Sequence, residues 1–135
     1  AAADVQQLGV FGGVFYTDPT TSKPTWSAYY PASTNASDLK ASVYADPNIV
    51  YEAQHDGTGT AAMNNSAMDF VGVAGSTVTG QSTSELDTSD SGTGGNFKQI
   101  GISTDPENSD TSTANVNAYC VFNTGLHIFK LTTGV

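Results

Sequence analysis

Apolar residues along this chain come in short bursts. The runs between them are rich in Gly, Pro, Ser, Thr, Asn and Asp. That rhythm predicts strands and turns rather than helices. Residues 8–16, LGVFGGVFY, predict a first strand, in which Gly12 and Gly13 mark a bulge or a close backbone approach. Residues 26–30, WSAYY, predict a second, aromatic strand closed by Pro31. Residues 36–44 admit a short helix capped by Asn35 or Ser37, with Leu39 and Val43 on one face. In the same segment Leu39, Ala41 and Val43 alternate with Asp38, Lys40 and Ser42, and strand is the favoured reading. The clearest local signal is residues 42–57, SVYADPNIVYEAQHDG, which reads as strand, turn, strand. Pro47 presets φ for the second position of a β-turn, and Asp46 bonds to the backbone beyond it. Tyr44, Ile49 and Tyr51 are then expected to pack a central hairpin, with Asp46-Pro47 setting its register.

Further along, residues 61–68 predict one helical turn. Residues 68–73 (MDFVGV) and 97–102 predict strands, and residues 76–80 alternate weakly. Residues 87–95 form a Ser/Gly/Thr stretch expected to be a mobile, exposed loop, and residues 105–113 an exposed turn. Residues 116–122 (VNAYCVF) and 126–131 (LHIFKL) are expected to pair as a last hairpin across Asn123-Thr124-Gly125. About eight short strands with frequent turn signals predict an all-β fold. The expectation is a small sandwich or barrel of short antiparallel strands, with residues 1–8 as an extended N-terminal arm and residues 9–135 as a single β domain.

Charge narrows the partners. Thirteen acidic residues face four lysines and no arginine, for a formal charge of −9. Nucleic-acid affinity rests on cations that neutralise phosphates, so nucleic acid is not an expected partner. Neither is a membrane of anionic lipid. No apolar run approaches the roughly 20 residues of a transmembrane helix, and no signal-peptide pattern is visible. Cys120 is the only cysteine. It lies in an apolar run, which predicts a buried, inert thiol.

Candidate chemistry is sparse. His55 precedes an Asp-Gly turn and reads as a solvated loop histidine, while His127 reads as an edge or half-buried strand residue. Glu52, Asp69, Glu85 and Asp87 are the carboxylates that strand pairing could bring together, as glycoside hydrolysis requires; solvated strand faces explain them more simply. The loop Asp105-Pro106-Glu107-Asn108-Ser109-Asp110 concentrates oxygen ligands of the kind calcium takes, but the EF-hand glycine and terminal glutamate are missing. No phosphate-cradling loop ends in Lys-Ser/Thr. Trp26, Tyr29 and Tyr30 are the aromatics a sugar-binding surface would expose, with core packing as their expected role. No catalytic residue, metal site or cofactor is therefore assigned.

Five segments in order, VFGGVFYTDPTTSKPTWSAYYP, VYADPNIVYEAQHDG, TGQSTSELD, QIGISTDPENS and VNAYCVFNTGLHIF, span nearly the whole chain. Together they resemble small structural proteins encoded with the head genes of tailed double-stranded DNA phages, notably marine ones. The chain is similar to head decoration, or cement, proteins. The resemblance implies a non-enzymatic virion protein on the exterior of the capsid, with the major capsid protein as partner and a homotrimer as one arrangement. On that reading the arm residues Val5, Gln6, Gln7 and Leu8 are the expected capsid contacts, adding a strand to a neighbour's sheet edge.

Overall fold

The computed structural model describes residues 7–72, 74–76, 78–92, 94–108 and 110–130. Its nine strands are β1 Val10–Thr17, β2 Pro24–Ser27, β3 Lys40–Tyr44, β4 Tyr51–Gln54, β5 Ala67–Met68, β6 Phe70–Val71, β7 Glu85–Leu86, β8 Phe97–Ile102 and β9 Asn117–Phe122. The remaining regular elements are single 3₁₀ turns, one of them at Ala61–Met63, inside the segment expected to be helical. No helix among the described residues is long and apolar enough to cross a membrane. The all-β, antiparallel expectation holds. The strands are divided among three open sheets, ordered β2-β1-β3, β4-β9-β8-β5 and β6-β7.

The first sheet forms much as its sequence pattern suggests. β1 pairs on both sides, and its register slips between Phe11 and Gly13. That is the bulge expected from the glycine pair, and Gly13 takes a φ of 142° that favours glycine. β2 begins at Pro24 and ends at Ser27, short of the expected Tyr30. Because β2 is an edge strand, the missing Pro24 N–H costs no ladder bond. Val14 and Tyr16 are buried on the inner face, while Phe15 points outward.

The second sheet carries the core. Met68, Leu86, Phe97, Ala118, Cys120 and Phe122 form one buried cluster, with Val10, Tyr51, Ala53, Met63 and Ile102 packed against it. Strict alternation along FKQIGI would not turn both Phe97 and Ile102 to the core. A bulge does so, because the β8–β9 register shifts between Gln99 and Gly101. Ile100 is thereby left exposed, and Ile102 rejoins the buried face opposite Ala118.

Two expected hairpins are absent. The Asp46-Pro47 turn does form: Ile49 N–H donates to the Asp46 carbonyl (3.3 Å) and Asn48 N–H to the Asp46 carboxylate (2.8 Å). Yet β3 pairs with β1, and β4 pairs with β9. The turn is therefore a corner between two sheets and sets no hairpin register. Tyr44 is exposed, and Ile49 is only half-buried. Residues 126–131 do not pair with β9 either. β9 lies between β4 and β8, so neither of its edges is left to receive another strand. The chain instead turns away, placing a 3₁₀ turn at Ile128–Lys130; Leu131 lies outside the described residues. The expected strand at residues 68–73 is divided between β5 and β6, which belong to different sheets.

The segment expected to be a mobile loop at residues 87–95 is pinned where it is described. Asp87 caps the 3₁₀ turn Thr88–Asp90 by accepting from Ser89 N–H. Gly92 exchanges two backbone bonds with Ala67 (2.8 and 2.9 Å), and Gly95 packs on the backbone of Met68.

Candidate functional site

A cleft of about 840 Å³ opens beside the second sheet, a size typical of ligand sites. Its floor is aromatic. Phe97 lies 4.5 Å, centroid to centroid, from both Phe70 and Phe122, and Tyr51 meets Phe97 and Phe122 edge-on. Tyr51 is fixed at its far end as well, where its hydroxyl donates to the Tyr44 carbonyl across the sheet corner (3.2 Å). Burial, and then the charge of Asp46, pushes the Tyr51 phenol above its ordinary pKa, so it stays a neutral donor. Phe11, Tyr29 and Tyr30 supply the opposite wall, and Glu52, Gln54, Ser82 and Ser84 the polar margin.

A glycine holds the Tyr29 wall. Ser76 N–H donates to the Gln81 carbonyl (3.0 Å) and Gly80 N–H to the Ser76 carbonyl (2.8 Å), closing a tight turn. Gly80 sits at φ 70°, and a Cβ there would run into the Tyr29 ring. Only glycine meets both requirements. Tyr30 is steadied by its hydroxyl, which donates to the Thr34 carbonyl (2.7 Å).

Both histidines depart from expectation. His55 is fully buried, not solvated. Its Nδ1 lies 2.8 Å from the Val116 carbonyl oxygen, and its Nε2 lies 2.9 Å from Gln99 Oε1. Gln99 Nε2 in turn donates to the Thr60 carbonyl (3.1 Å) and to Asn64 Oδ1 (2.8 Å). Gly59 makes room for the ring, since a Cβ there would collide with it. His127 is also fully buried rather than at an edge. Its Nδ1 accepts from Phe129 N–H (3.2 Å), its Nε2 has no hydrogen-bond partner among the described residues, and its ring packs on Phe122 and Phe129.

The carboxylates serve turns and strand margins. Glu52 is exposed and accepts from Asn117 Nδ2 (3.3 Å), and Asp69 accepts from Asn96 N–H (2.9 Å). Asp56 accepts from both the backbone N–H and the hydroxyl of Thr88 (2.9 and 2.8 Å), and the backbone donor holds its carboxyl below the usual range. In the acidic loop, Asp105 accepts from Glu107 N–H and Asp110 from Ser112, so one oxygen of each carboxylate serves a local turn. No three His, Cys, Asp or Glu side chains converge as a metal-ligand set among the described residues. Cys120 is buried as expected, and desolvation pushes its thiol up to about 12.

Of the arm residues, Val5 and Gln6 lie outside the described residues. Gln7 pairs in parallel with His127, its N–H donating to the Leu126 carbonyl (2.7 Å) and its C=O accepting from Ile128 N–H (2.9 Å). Leu8 is exposed. Trp26 and Tyr30, expected in the core, are 60% and 52% exposed. The sequence reading missed Gln99 and the burial of His55. The available signal was that Gln99 follows Phe97 by two, on the same strand face. The chain matches no protein-family model, no curated protein and no solved structure.

Proposed function

We propose that this chain is a non-catalytic docking module, a decoration protein on the exterior of an icosahedral phage head that binds the major capsid protein and stabilises the expanded shell. The observation that carries this reading is the outer face of the first sheet. Phe15 and Trp26 are direct cross-strand partners there, 50% and 60% exposed, and Tyr44 lies over Gly12 at 57%. An exposed aromatic face of this kind supports docking to another protein. Fully burying one large apolar side chain contributes about 1.5–3 kcal/mol; with about half of each still exposed, covering all three supplies roughly 2–5 kcal/mol per copy before association costs. Many copies acting together bias the closed shell by mass action. The charge of −9 without arginine suits a surface turned away from packaged DNA. The resemblance of the five segments to head proteins adds the identity of the partner, and a homotrimer at threefold positions is the arrangement it implies.

The test is co-sedimentation of the purified protein with expanded, DNA-free heads assembled from the accompanying head genes. Saturable binding and a raised head-opening temperature are expected. Trp26→Ala with Phe15→Ala should weaken binding at least about tenfold, the equivalent of 1.4 kcal/mol. Absence of any binding to expanded heads overturns the reading. The exposure of Trp26 and Tyr30 also favours a carbohydrate-binding surface module. Glycan-array signal that is lost on Trp26→Ala, with no binding to heads, would establish that second reading instead.

A further inference from the structure

The cleft has one wall that is not side chain. β4 is the edge strand of the second sheet, paired with β9 on one side and met on the other only at its C-terminal end, where Leu86 bridges His55. Its direction is set by the pair His55–Val116, in which His55 N–H donates to the Val116 carbonyl (2.9 Å). In an antiparallel ladder, bonding direction alternates residue by residue. Tyr51, Ala53 and His55 therefore point their backbone groups at β9, and Glu52 and Gln54 point theirs outward into the cleft. Beyond Gln54 the outer edge is occupied: Asp56 N–H donates to the Leu86 carbonyl (3.0 Å), and Leu86 bridges His55 in parallel. β7 then leaves to pair with β6, so residues 82–84 diverge from β4 and open a wedge. The N–H and C=O of Glu52 and the N–H of Gln54 make no hydrogen bond among the described residues.

We infer that this edge is a strand-addition site, and that its occupant is an extended segment of a partner protein that alternates apolar and basic residues. Main-chain groups in register with Glu52 and Gln54 supply the pairing. An added strand puts alternate side chains on the two faces of the sheet. One set falls beside Tyr51 and Ala53, toward Phe70 and Phe97, and is apolar. The other falls beside Glu52 and Gln54. Among the described residues Glu52 is the only charged one lining the cleft, and the chain as a whole carries −9, so that set is basic. The same charge disfavours a second copy of this chain as occupant. The outer edges of the first sheet are defended differently: β2 begins with Pro24 after Lys23, and β3 begins with Lys40. The inference rests on the docking reading above only for the source of the segment.

The probe is a capped octapeptide alternating valine and lysine, added to the isotope-labelled full chain. Its amide spectrum should show saturable shifts at Glu52 and Gln54. Valine–lysine peptide should bind at least about tenfold more tightly than its valine–glutamate counterpart. Glu52→Lys, at an exposed position, should shrink that preference, since it removes the cleft's carboxylate while the rest of the chain stays acidic. Gln54→Pro removes an outward N–H without touching the β9 ladder and should abolish the shifts. Should that variant unfold, a valine–lysine peptide N-methylated at alternate residues serves instead, and it should fail to bind. The inference is overturned by no binding, by shifts centred elsewhere, by an undiminished preference in Glu52→Lys, or by self-association that Gln54→Pro dissolves. Peptide binding without head binding removes the capsid reading and leaves the groove standing; head binding without peptide binding removes the groove alone.

Discussion

Replacing Gln99 by leucine tests whether the buried polar network or the apolar cluster holds the second sheet. Gln99 is fully buried and joins His55, Thr60 and Asn64. Leucine is of similar volume, so the cavity term is small and the cost is polar. His55 Nε2 loses its partner inside the protein, which costs about 1–3 kcal/mol. The Thr60 carbonyl is half-buried and Asn64 is exposed, so water replaces most of what Gln99 gave them. The expected loss is about 2–4 kcal/mol, which for a chain of this length lowers Tm by about 7–14 °C. Urea unfolding followed by far-UV circular dichroism measures it at constant m. A double-mutant cycle with His55→Phe sharpens the test, because removing both polar partners relieves the stranded nitrogen. The double variant should be more stable than the two single losses predict by at least about 1 kcal/mol. A Gln99→Leu protein within about 0.5 kcal/mol of the parent, or strictly additive losses, refutes the argument.

Gly80→Ala should cost about 1–3 kcal/mol, from its positive φ and the blocked Tyr29 ring; a Tm unchanged from the parent would show that the turn adapts freely. The carboxyls of Asp38 and Asp56 are held below 3.8, chiefly by the Thr17 hydroxyl and the Thr88 backbone N–H respectively. Their stabilisation is present above that value and lost as pH falls through the lowered ones. Asp38→Asn with Asp56→Asn should therefore flatten the dependence of the urea midpoint on acid, and an unchanged slope would contradict the assignment. The Cys120 thiol, pushed up to about 12, should not react with Ellman's reagent in the native protein and should titrate fully in urea; stoichiometric native reaction would show that it is not enclosed.

Local chemistry was readable where neighbours in sequence supply the cause. The glycine pair at 12–13 announced a bulge, Asp46-Pro47 a turn, and the apolar run around Cys120 a buried thiol. Those features follow from φ preferences and side-chain polarity within a few residues, and each is present. The 97–102 strand was equally legible, but its bulge at Ile100 was not, because that depends on which residues of β9 lie opposite.

The candidate site was far less legible. Nothing near His55 in the sequence announces burial; its partners are 61 and 44 residues away. Trp26 and Tyr30 looked like core residues by hydrophobicity alone, and the limited interior of a small domain left them outside. By itself, the sequence determined that the chain is built of short antiparallel strands, where most of them lie, and that its surface is acidic. The tertiary structure alone decided which strands pair. Strand propensity is local, but an edge can be taken only once: β9 filled both of its edges with β4 and β8, dissolved two expected hairpins, and left the outer edge of β4 open to the cleft.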